Sequence, residues 1–390
     1  MSRVTEIVHV RVEQNHMATT FQMTISCVST RAAAAERLLV DAHQLISCLE
    51  EELSEFIPES PVSRLNRSPA HFPLQVPRSV IYLLERSEAL RKLTEGAFDC
   101  GVKSKLLIPG AKFGWDSEAR TVWKLYPESH LGFGAIGKGY ALDRVRTLLE
   151  QEGYHDFILS AGGSSQIVSG FASPDVPWSW GWSWQKSQSG EALGIPFEHR
   201  TGQAIALGVS GTHEKGDHIL NAGSKKIDSA PQSALVAHSS AADADALSTA
   251  LFVAGWDKGN SQISEMQTVA ATAMIDSRGV PYWNGFFQKL WGAPGLHAFL
   301  AATAVFALSS LSAVLAFAEE EAAIDLGAEE ANSFTPYLFE RNHWWILAPI
   351  LMLGVVALHL KKLRPKKLSN SLKSSPPQKL VVPPPKGVVK

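Results

Sequence analysis

Two segments that lie far apart in the sequence carry residue types able to bind phosphate and a divalent cation. The first, GAIGKGYALD (134–143), reads as a glycine turn running into a helix, with Lys138 at its start. The second, ADALSTAL (244–251), places the Asp245 carboxylate four residues before the Thr249 hydroxyl, on one helix face. Such oxygens suit Mg²⁺, and a lysine beside free amide groups suits a phosphate. Together the segments predict a metal-assisted site for a pyrophosphate-containing ligand, although each alone is also typical of an ordinary turn or a solvated helix face.

The elements that must position these segments indicate an α+β fold. The predicted strands lie within 8–28 and over 156–159, 204–208 and 234–237, and the predicted helices over 31–56, 80–94, 138–152 and 245–253. Because strands and helices mix without a strict βαβ repeat, α+β fits better than a doubly wound sheet.

A tryptophan-rich strand, PWSWGWSWQ (177–185), has two interpretations. Its four tryptophans recur at every second residue and therefore share one face of a strand: Trp178, Trp180, Trp182 and Trp184. This face is either packed in a sheet or an interface, or it is a stacking surface for an aromatic ligand or partner.

Seven short motifs follow one another between residues 17 and 255. They are MATTFQMTIS, LSEFIPESPVSRLN, TEGAFDCGV, GAIGKGYALD, LSAGGS, VSGTHEKGDHIL and ADALSTALFVAG. The residues in these motifs, and the order of the motifs along the chain, resemble those of the ApbE family of flavin transferases. That family transfers FMN from FAD to a Thr or Ser hydroxyl of a target protein, with Mg²⁺, and releases AMP. The resemblance implies an ApbE-like fold, the same reaction, and an acceptor protein.

The resemblance also implies roles for individual residues. For Mg²⁺ it implies three oxygen ligands: the side-chain oxygens of Asp245 and Thr249 and the backbone carbonyl oxygen of Ala135. The residues that it implies for the flavin nucleotide are Met17, Phe56, Ala97, Phe98, Asp99 and Lys138. His218 aligns with a family histidine that could take the proton from the acceptor hydroxyl. Structural alternatives stay open: a core role for Phe98, a turn cap for Asp99, a gap filler for Met17 and a surface loop for His218.

Several departures from the family pattern favour a second hypothesis. Gly132 stands where the family has an aspartate, Ser164 where it often has another, and NAGSK (221–225) replaces its D-P-x-T-G segment. These changes favour a non-catalytic member that serves as a membrane-tethered flavin-binding module. A third interpretation is a redox carrier whose tryptophan face contacts a partner. Because the chain contains no S/T-G-A-T segment, we expect the acceptor to be another protein, such as a membrane redox subunit.

The length and the distribution of apolar residues predict a large domain followed by a membrane segment. With 390 residues and a net charge of −2, the chain is large enough for several units and shows no sign of nucleic-acid binding. We expect an ApbE-like domain over 1–292, then two transmembrane helices and an acidic loop within 293–362, and a disordered basic Pro/Ser-rich tail over 363–390. The apolar runs of the two spans cover about 296–318 and 344–360.

The charges flanking these spans predict their orientation. KKLRPKK (361–367) follows the second span, which places the tail in the cytoplasm and the acidic loop outside. The first sixteen residues lack the apolar run of a signal peptide, so we expect the catalytic domain in the cytoplasm too. The predicted location is thus the inner (cytoplasmic) membrane, crossed twice. LSAVLAFAEEE also resembles a signal-peptidase site, which leaves internal cleavage as an alternative.

Overall fold

An antiparallel sheet forms the centre of the described part of the chain. The computed structural model describes residues 6–104, 106, 110–186, 192–199, 201–211, 230–264, 266 and 268–284, with backbone alone for 183–186 and 192–197. The strands in it are β1 (Ile7–His16), β2 (Thr19–Val28), β3 (Leu74–Gln75), β4 (Phe113–Asp116), β5 (Thr121–Lys124), β6 (Phe157–Ala161), β7 (Ser165–Ser169), β8 (Trp178–Lys186), β9 (Ala192–His199), β10 (Ile205–Gly211), β11 (Ser233–His238), β12 (Val269–Ile275) and β13 (Pro281–Trp283). Within these residues, one sheet has the order β1-β2-β6-β7-β10-β11-β12-β13, with antiparallel neighbours throughout.

The α-helices of the described residues are α1 (Ala32–Leu53), α2 (Pro61–Arg67), α3 (Arg78–Leu93), α4 (Gly137–Gln151), α5 (Ala241–Ala254) and α6 (Trp256–Ser264). Four of them, α1, α4, α5 and α6, pack against this sheet, while α2 and α3 pack on α1. α1 covers β1 and β2, whereas α5 covers β10 and β11 and also contacts α4. α5 consequently has apolar residues on most of its surface, and eleven of its residues are buried. A helix enclosed in this way can hold a polar side chain only where that side chain finds partners.

The sheet separates two hydrophobic clusters. On β11, Ala234 and Val236 belong to the cluster beneath the helices, and Leu235 and Ala237 to the cluster on the opposite face. This alternation follows from the two-residue period of a strand. With both faces covered, the central strands provide a rigid base for whatever α4 and α5 carry.

The tryptophan-rich strand β8 covers the second face of the sheet. Trp178, Trp180 and Trp182 are all buried and share one apolar cluster with residues of β7, β10, β11 and β12. The indole N–H of Trp182 donates to Ser233 Oγ at 3.0 Å. The packed interpretation of this face is therefore confirmed for these three residues, and the exposed stacking or partner surface is wrong for them. The Trp184 side chain lies outside the described residues.

The α+β architecture and most of the long elements agree with the sequence predictions. The segment 8–28 is the β1–β2 hairpin, and the predicted helices correspond to α1, α3, α4 and α5 within a few residues. The elements that were not predicted are α2, α6, β3, β4, β5, β7, β9, β12 and β13. Several of them have too few residues to establish a period, and tertiary packing decides their conformation.

The predicted membrane segment falls outside the structural description. Residues 285–390, with both predicted spans and the tail, lie beyond the described ranges, so the domain boundaries stay predictions. Among the described residues, none of the helices combines the length and the apolar character that crossing a bilayer requires.

Two glycines allow α5 to approach its neighbours at backbone distance. A Cβ on Gly139 of α4 would lie 2.0 Å from the carbonyl oxygen of Ala241. A Cβ on Gly208 of β10 would lie 2.1 Å from the carbonyl oxygen of Ala244. Since a flexible side chain cannot relieve either clash, any larger residue must move α5 itself.

We predict that Gly139→Ala will lower the free energy of unfolding by about 3 kcal/mol or more, at the upper end of overpacking effects, because a backbone carbonyl has to move. Thermal or denaturant unfolding of the detergent-solubilised chain measures this. Gly137→Ala is the matched control in the same helix, since its Cβ would meet only Phe133 Cβ at 3.7 Å. Equal stability of the two variants would contradict the proposed close contact.

Candidate active site

A carboxylate from α4 caps the N-terminus of α5. Asp143 Oδ1 accepts a hydrogen bond from the Ala241 amide at 2.8 Å, and its Oδ2 accepts one from the Ala242 amide at 2.9 Å. Ser240 Oγ also donates to Asp143 Oδ2, at 2.7 Å. These amides would otherwise lack partners at a helix start, and the helix dipole favours an anion there. Asp143 thus fixes where α5 begins relative to α4.

A carboxylate from α5 caps α4 in return. Asp245 Oδ2 accepts hydrogen bonds from the Gly139 amide and from Ser165 Oγ, each at 2.8 Å. Lys138 Nζ lies 3.9 Å from the same oxygen, and the Asp245 side chain is only 4% exposed. The two segments that the sequence singled out therefore meet through these residues, as predicted.

The environment of Asp245 opposes its negative charge. Burial raises the pKa of this carboxyl, while the charge of Lys138 and the hydrogen bonds from Ser165 and Gly139 act in the opposite direction. A cation that binds Asp245 would therefore further stabilise the charged form of its carboxylate.

Two more oxygens are placed for a cation by the same helix contact. Thr249 Oγ1 donates to the Asp245 backbone carbonyl at 3.1 Å and lies 3.0 Å from Ser210 Oγ. The Gly139 amide lies in the first turn of α4, where amides have no acceptor within the helix, and it donates to Asp245. Ala135 precedes Ile136, the N-cap residue of α4, so its carbonyl belongs to the turn that leads into the helix.

These donors fit a magnesium ion. A buried carboxylate, a hydroxyl and a backbone carbonyl are hard oxygen ligands, and Mg²⁺ commonly takes few protein ligands together with substrate phosphates. The described part of the chain contains no group of three or more His, Cys, Asp or Glu side chains arranged to hold a metal ion. The ligand set implied by the sequence needs only one such side chain, Asp245.

The two residues assigned to the aromatic rings lie at different places in the fold. Met17 has a φ of 49° in the β1–β2 turn and packs, half-buried, against the cluster beneath the helices. Phe56 follows α1 and is 80% exposed, with Lys103 Nζ 5.3 Å from the centre of its ring. An exposed ring beside a cation is suited to stacking on an aromatic ligand. Both roles stay predictions.

The segment 97–99 makes mainly structural contacts in the described residues. Phe98 is only 2% exposed and belongs to the core beneath the helices, with half-buried Ala97 packed against the same cluster. Asp99 Oδ1 accepts from the Gly101 amide at 2.7 Å, and Oδ2 pairs with Lys112. The core and turn-cap alternatives for Phe98 and Asp99 therefore describe their side-chain contacts, and their nucleotide role stays a prediction.

The predicted catalytic histidine cannot be placed. His218 and the segment 221–225 belong to residues 212–229, which lie outside the described ranges. The role of His218 and the effect of the altered NAGSK segment stay predictions.

Comparisons with known proteins establish the family and the fold of this chain. The family model described as "ApbE family" matches residues 17–273. This chain belongs to the ApbE family. A relative from Klebsiella pneumoniae (strain 342), named FAD:protein FMN transferase, is 24% identical over 279 residues, which cover 63% of this chain and 84% of the relative.

Solved structures show the ApbE fold directly. The flavin transferase ApbE from Vibrio cholerae matches with a TM-score of 0.63 and 21% identity, over 73% of this chain and 100% of that one. The apo flavinyl transferase ApbE from Pseudomonas stutzeri matches with a TM-score of 0.63 and 21% identity, over 74% and 99% of the two chains. The described domain therefore has the fold of these proteins.

Within this ApbE-family domain, the serine that contacts Asp245 is Ser165, which directly follows the serine noted in the sequence. Ser164 was singled out, but its Oγ is 3.4 Å from the carbonyl of Ala161, whereas Ser165 Oγ reaches Asp245. Ser210 and Asp143 were also missed as members of the site. Asp143 ends the glycine-lysine motif, so its place in that motif was the available signal. Ser210 lies in the motif VSGTHEKGDHIL, which was its available signal, whereas Ser165 directly follows the motif LSAGGS and carries none.

We predict that Asp245→Asn will stabilise the metal-free protein at neutral to alkaline pH. Because burial raises the folded pKa of Asp245, ionising it costs more in the folded than in the unfolded chain. The advantage of asparagine should shrink as the pH falls through the folded pKa toward the unfolded value of about 3.9. Unfolding in EDTA across a pH series measures this, with exposed Asp257→Asn as control. A variant less stable at every pH would contradict the stated balance of charge and burial.

Proposed function

We infer that this chain is an FAD:protein FMN transferase, which moves FMN from FAD to a Thr or Ser hydroxyl of another protein and releases AMP. The observation that carries the proposal is the meeting of Asp245, Lys138 and the glycine turn at the α4–α5 junction. The family membership and the name of the Klebsiella relative support the same activity.

The reaction exchanges one phosphorus–oxygen bond for another. A bond forms between the acceptor oxygen and the phosphorus of the FMN half, and the bond from that phosphorus to the AMP phosphate breaks. The acceptor loses a proton, and AMP leaves with the electron pair of the broken bond. The protein must therefore hold the pyrophosphate, lower its negative charge and accept a proton.

The residues at the α4–α5 junction meet the first two requirements. Lys138 lies at the start of α4, where its ammonium group and the helix dipole both favour a phosphate. Asp245, Thr249 and the Ala135 carbonyl would hold Mg²⁺, which when bound neutralises developing charge on the phosphates. Because these groups are fixed by helix packing before a ligand arrives, little reorganisation is needed.

His218 is our proposed base for the third requirement. A neutral imidazole can take the proton of the attacking hydroxyl at physiological pH. This assignment rests on the alignment of VSGTHEKGDHIL with the family motif.

A second function is favoured by the sequence departures. Gly132 and the NAGSK segment replace residues of the family motif, which would leave a membrane-tethered module that binds FAD or FMN without transferring it. The two hypotheses share the nucleotide site and differ in AMP release.

We also propose that the enzyme is tethered to the inner membrane and acts in the cytoplasm on an acceptor protein, such as a membrane redox subunit. The support is the two apolar runs at 296–318 and 344–360 and the basic segment that follows the second. A tether would raise the local concentration of a membrane-bound acceptor.

We predict Mg²⁺-dependent release of AMP from FAD by the purified full chain in detergent, and flavin attachment to an added peptide that carries an S/T-G-A-T segment. Asp245→Ala should lower the rate about 100-fold or more, because an electrostatic group that acts on the transition state is lost. Nucleotide chromatography and flavin fluorescence in denaturing gels measure the two products.

Exposed Asp257→Ala is the matched control and should keep the parental rate. FAD bound by the parent without AMP release, in the presence of peptide and Mg²⁺, would favour the non-catalytic module. Equal activity of Asp245→Ala and the parent would contradict the proposed metal site.

We predict that the full chain will remain in the membrane pellet after carbonate extraction, and that a chain ending at residue 292 will not. The apolar runs supply the attachment, since each is near the length that spans a bilayer. Immunoblots of the two fractions measure the result. Release of the full chain by carbonate would contradict the tether.

A further inference from the structure

A nearly buried glutamate lies beside the loop that leads into α4. The Glu55 side chain is 9% exposed, and its Oε1 lies 2.6 Å from Lys103 Nζ. His130 Nε2 lies 3.0 Å from its other oxygen, Oε2. Two basic groups thus hold the carboxylate in one position.

Glu55 fills the space of the side chain that residue 132 lacks. A Cβ on Gly132 would lie 2.9 Å from Glu55 Oε1 and 3.4 Å from its carboxyl carbon. The loop cannot easily move away, since the Gly132 amide donates to the Cys100 carbonyl at 2.9 Å. Asn66 also holds Leu131 through two hydrogen bonds, at 2.7 and 2.8 Å. A side chain at residue 132 would therefore require the Glu55 carboxylate to leave its present position.

The same carboxylate is next to a proposed ring contact. Phe56 directly follows Glu55 and is 80% exposed, and Lys103 contacts both the Glu55 carboxylate and the Phe56 ring. The loop 132–135 continues from Gly132 to Ala135, whose carbonyl belongs to the proposed metal site. Glu55 is therefore adjacent in sequence to the exposed ring and close in space to the loop that leads into the phosphate-binding turn.

We propose that Glu55 binds the flavin dinucleotide, accepting a hydrogen bond from an N–H or O–H group of FAD that residue 132 cannot contact. This inference rests on the proposed function. A carboxylate offers about four lone-pair positions, so pairing with Lys103 and His130 leaves capacity for a ligand donor. The carboxylate expected at position 132 from the family pattern is thus supplied by the loop after α1, and the glycine and the glutamate form one matched pair.

The pairing is tested by exchanging the carboxylate between the two positions. The dissociation constant of FAD is measured by flavin fluorescence for the detergent-solubilised full chain with Mg²⁺. Glu55→Ala should weaken binding about 10- to 100-fold, as expected for a lost hydrogen bond to a charged group. Gly132→Asp should also weaken it, because the new carboxylate meets Glu55. The double variant Glu55→Ala/Gly132→Asp should bind within a few-fold of the parent.

Controls separate binding from folding. Glu59→Ala removes an exposed glutamate of the same loop and should leave FAD binding unchanged. Glu55→Gln keeps the shape of the side chain and replaces Glu55→Ala if thermal unfolding shows that the alanine variant is not folded. Repeating the titrations with FMN and with AMP identifies which half of FAD carries the donor, since only that half should lose affinity.

The outcomes distinguish this inference from the proposed function. A parent that binds FAD, with Glu55→Ala and Glu55→Gln equally tight, would overturn the role of Glu55 and leave the transferase proposal intact. If the double variant binds FAD as weakly as the weaker-binding single variant, then a carboxylate at position 132 does not replace that of Glu55, and the proposed pairing is overturned. A parent that binds no FAD would remove the proposed function and this inference with it.

Discussion

The site depends on a reciprocal exchange of carboxylates between α4 and α5. Asp143 of α4 accepts the first amides of α5, and Asp245 of α5 accepts the Gly139 amide of α4. Each helix thereby supplies the N-terminal cap of the other, in a contact that only glycine at 139 permits. These hydrogen bonds offset part of the cost of burying two aspartates, while burial still raises the pKa of both carboxyls.

This exchange explains how one packing contact can prepare a metal and phosphate site. Asp245 accepts the Gly139 amide in the first turn of α4, directly after the turn that contains Ala135. It also holds Lys138 at 3.9 Å, at the positive end of α4. Burial raises the pKa of Asp245, so the apoprotein carries an unfavourable charge that a bound cation would relieve. The metal-free protein is therefore less stable because of the same residue that would bind the cation, as is common in functional sites.

The departures from the family pattern take on a different meaning in the folded protein. Gly132 reads as a lost carboxylate in the sequence, yet the carboxylate of Glu55 occupies the adjacent space. Ser165 supports Asp245 although it is Ser164 that differs from the family. The tryptophan face, which could have bound a ligand or partner, is the cover of the second sheet face. A missing residue in a motif is therefore weak evidence of lost function until the neighbouring side chains are placed.

The sequence by itself determined the α+β class, the long helices and strands, and the meeting of the 134–143 and 244–251 segments. Periodicity, glycine turns and the i,i+4 spacing of Asp245 and Thr249 are local properties, and the order of motifs identifies the family. The tertiary structure alone decided the strand order, the burial of the tryptophans and the pairing of Glu55 with Gly132. These features join residues that are distant in the sequence, and no local pattern records which side chains share a space once the backbone has folded.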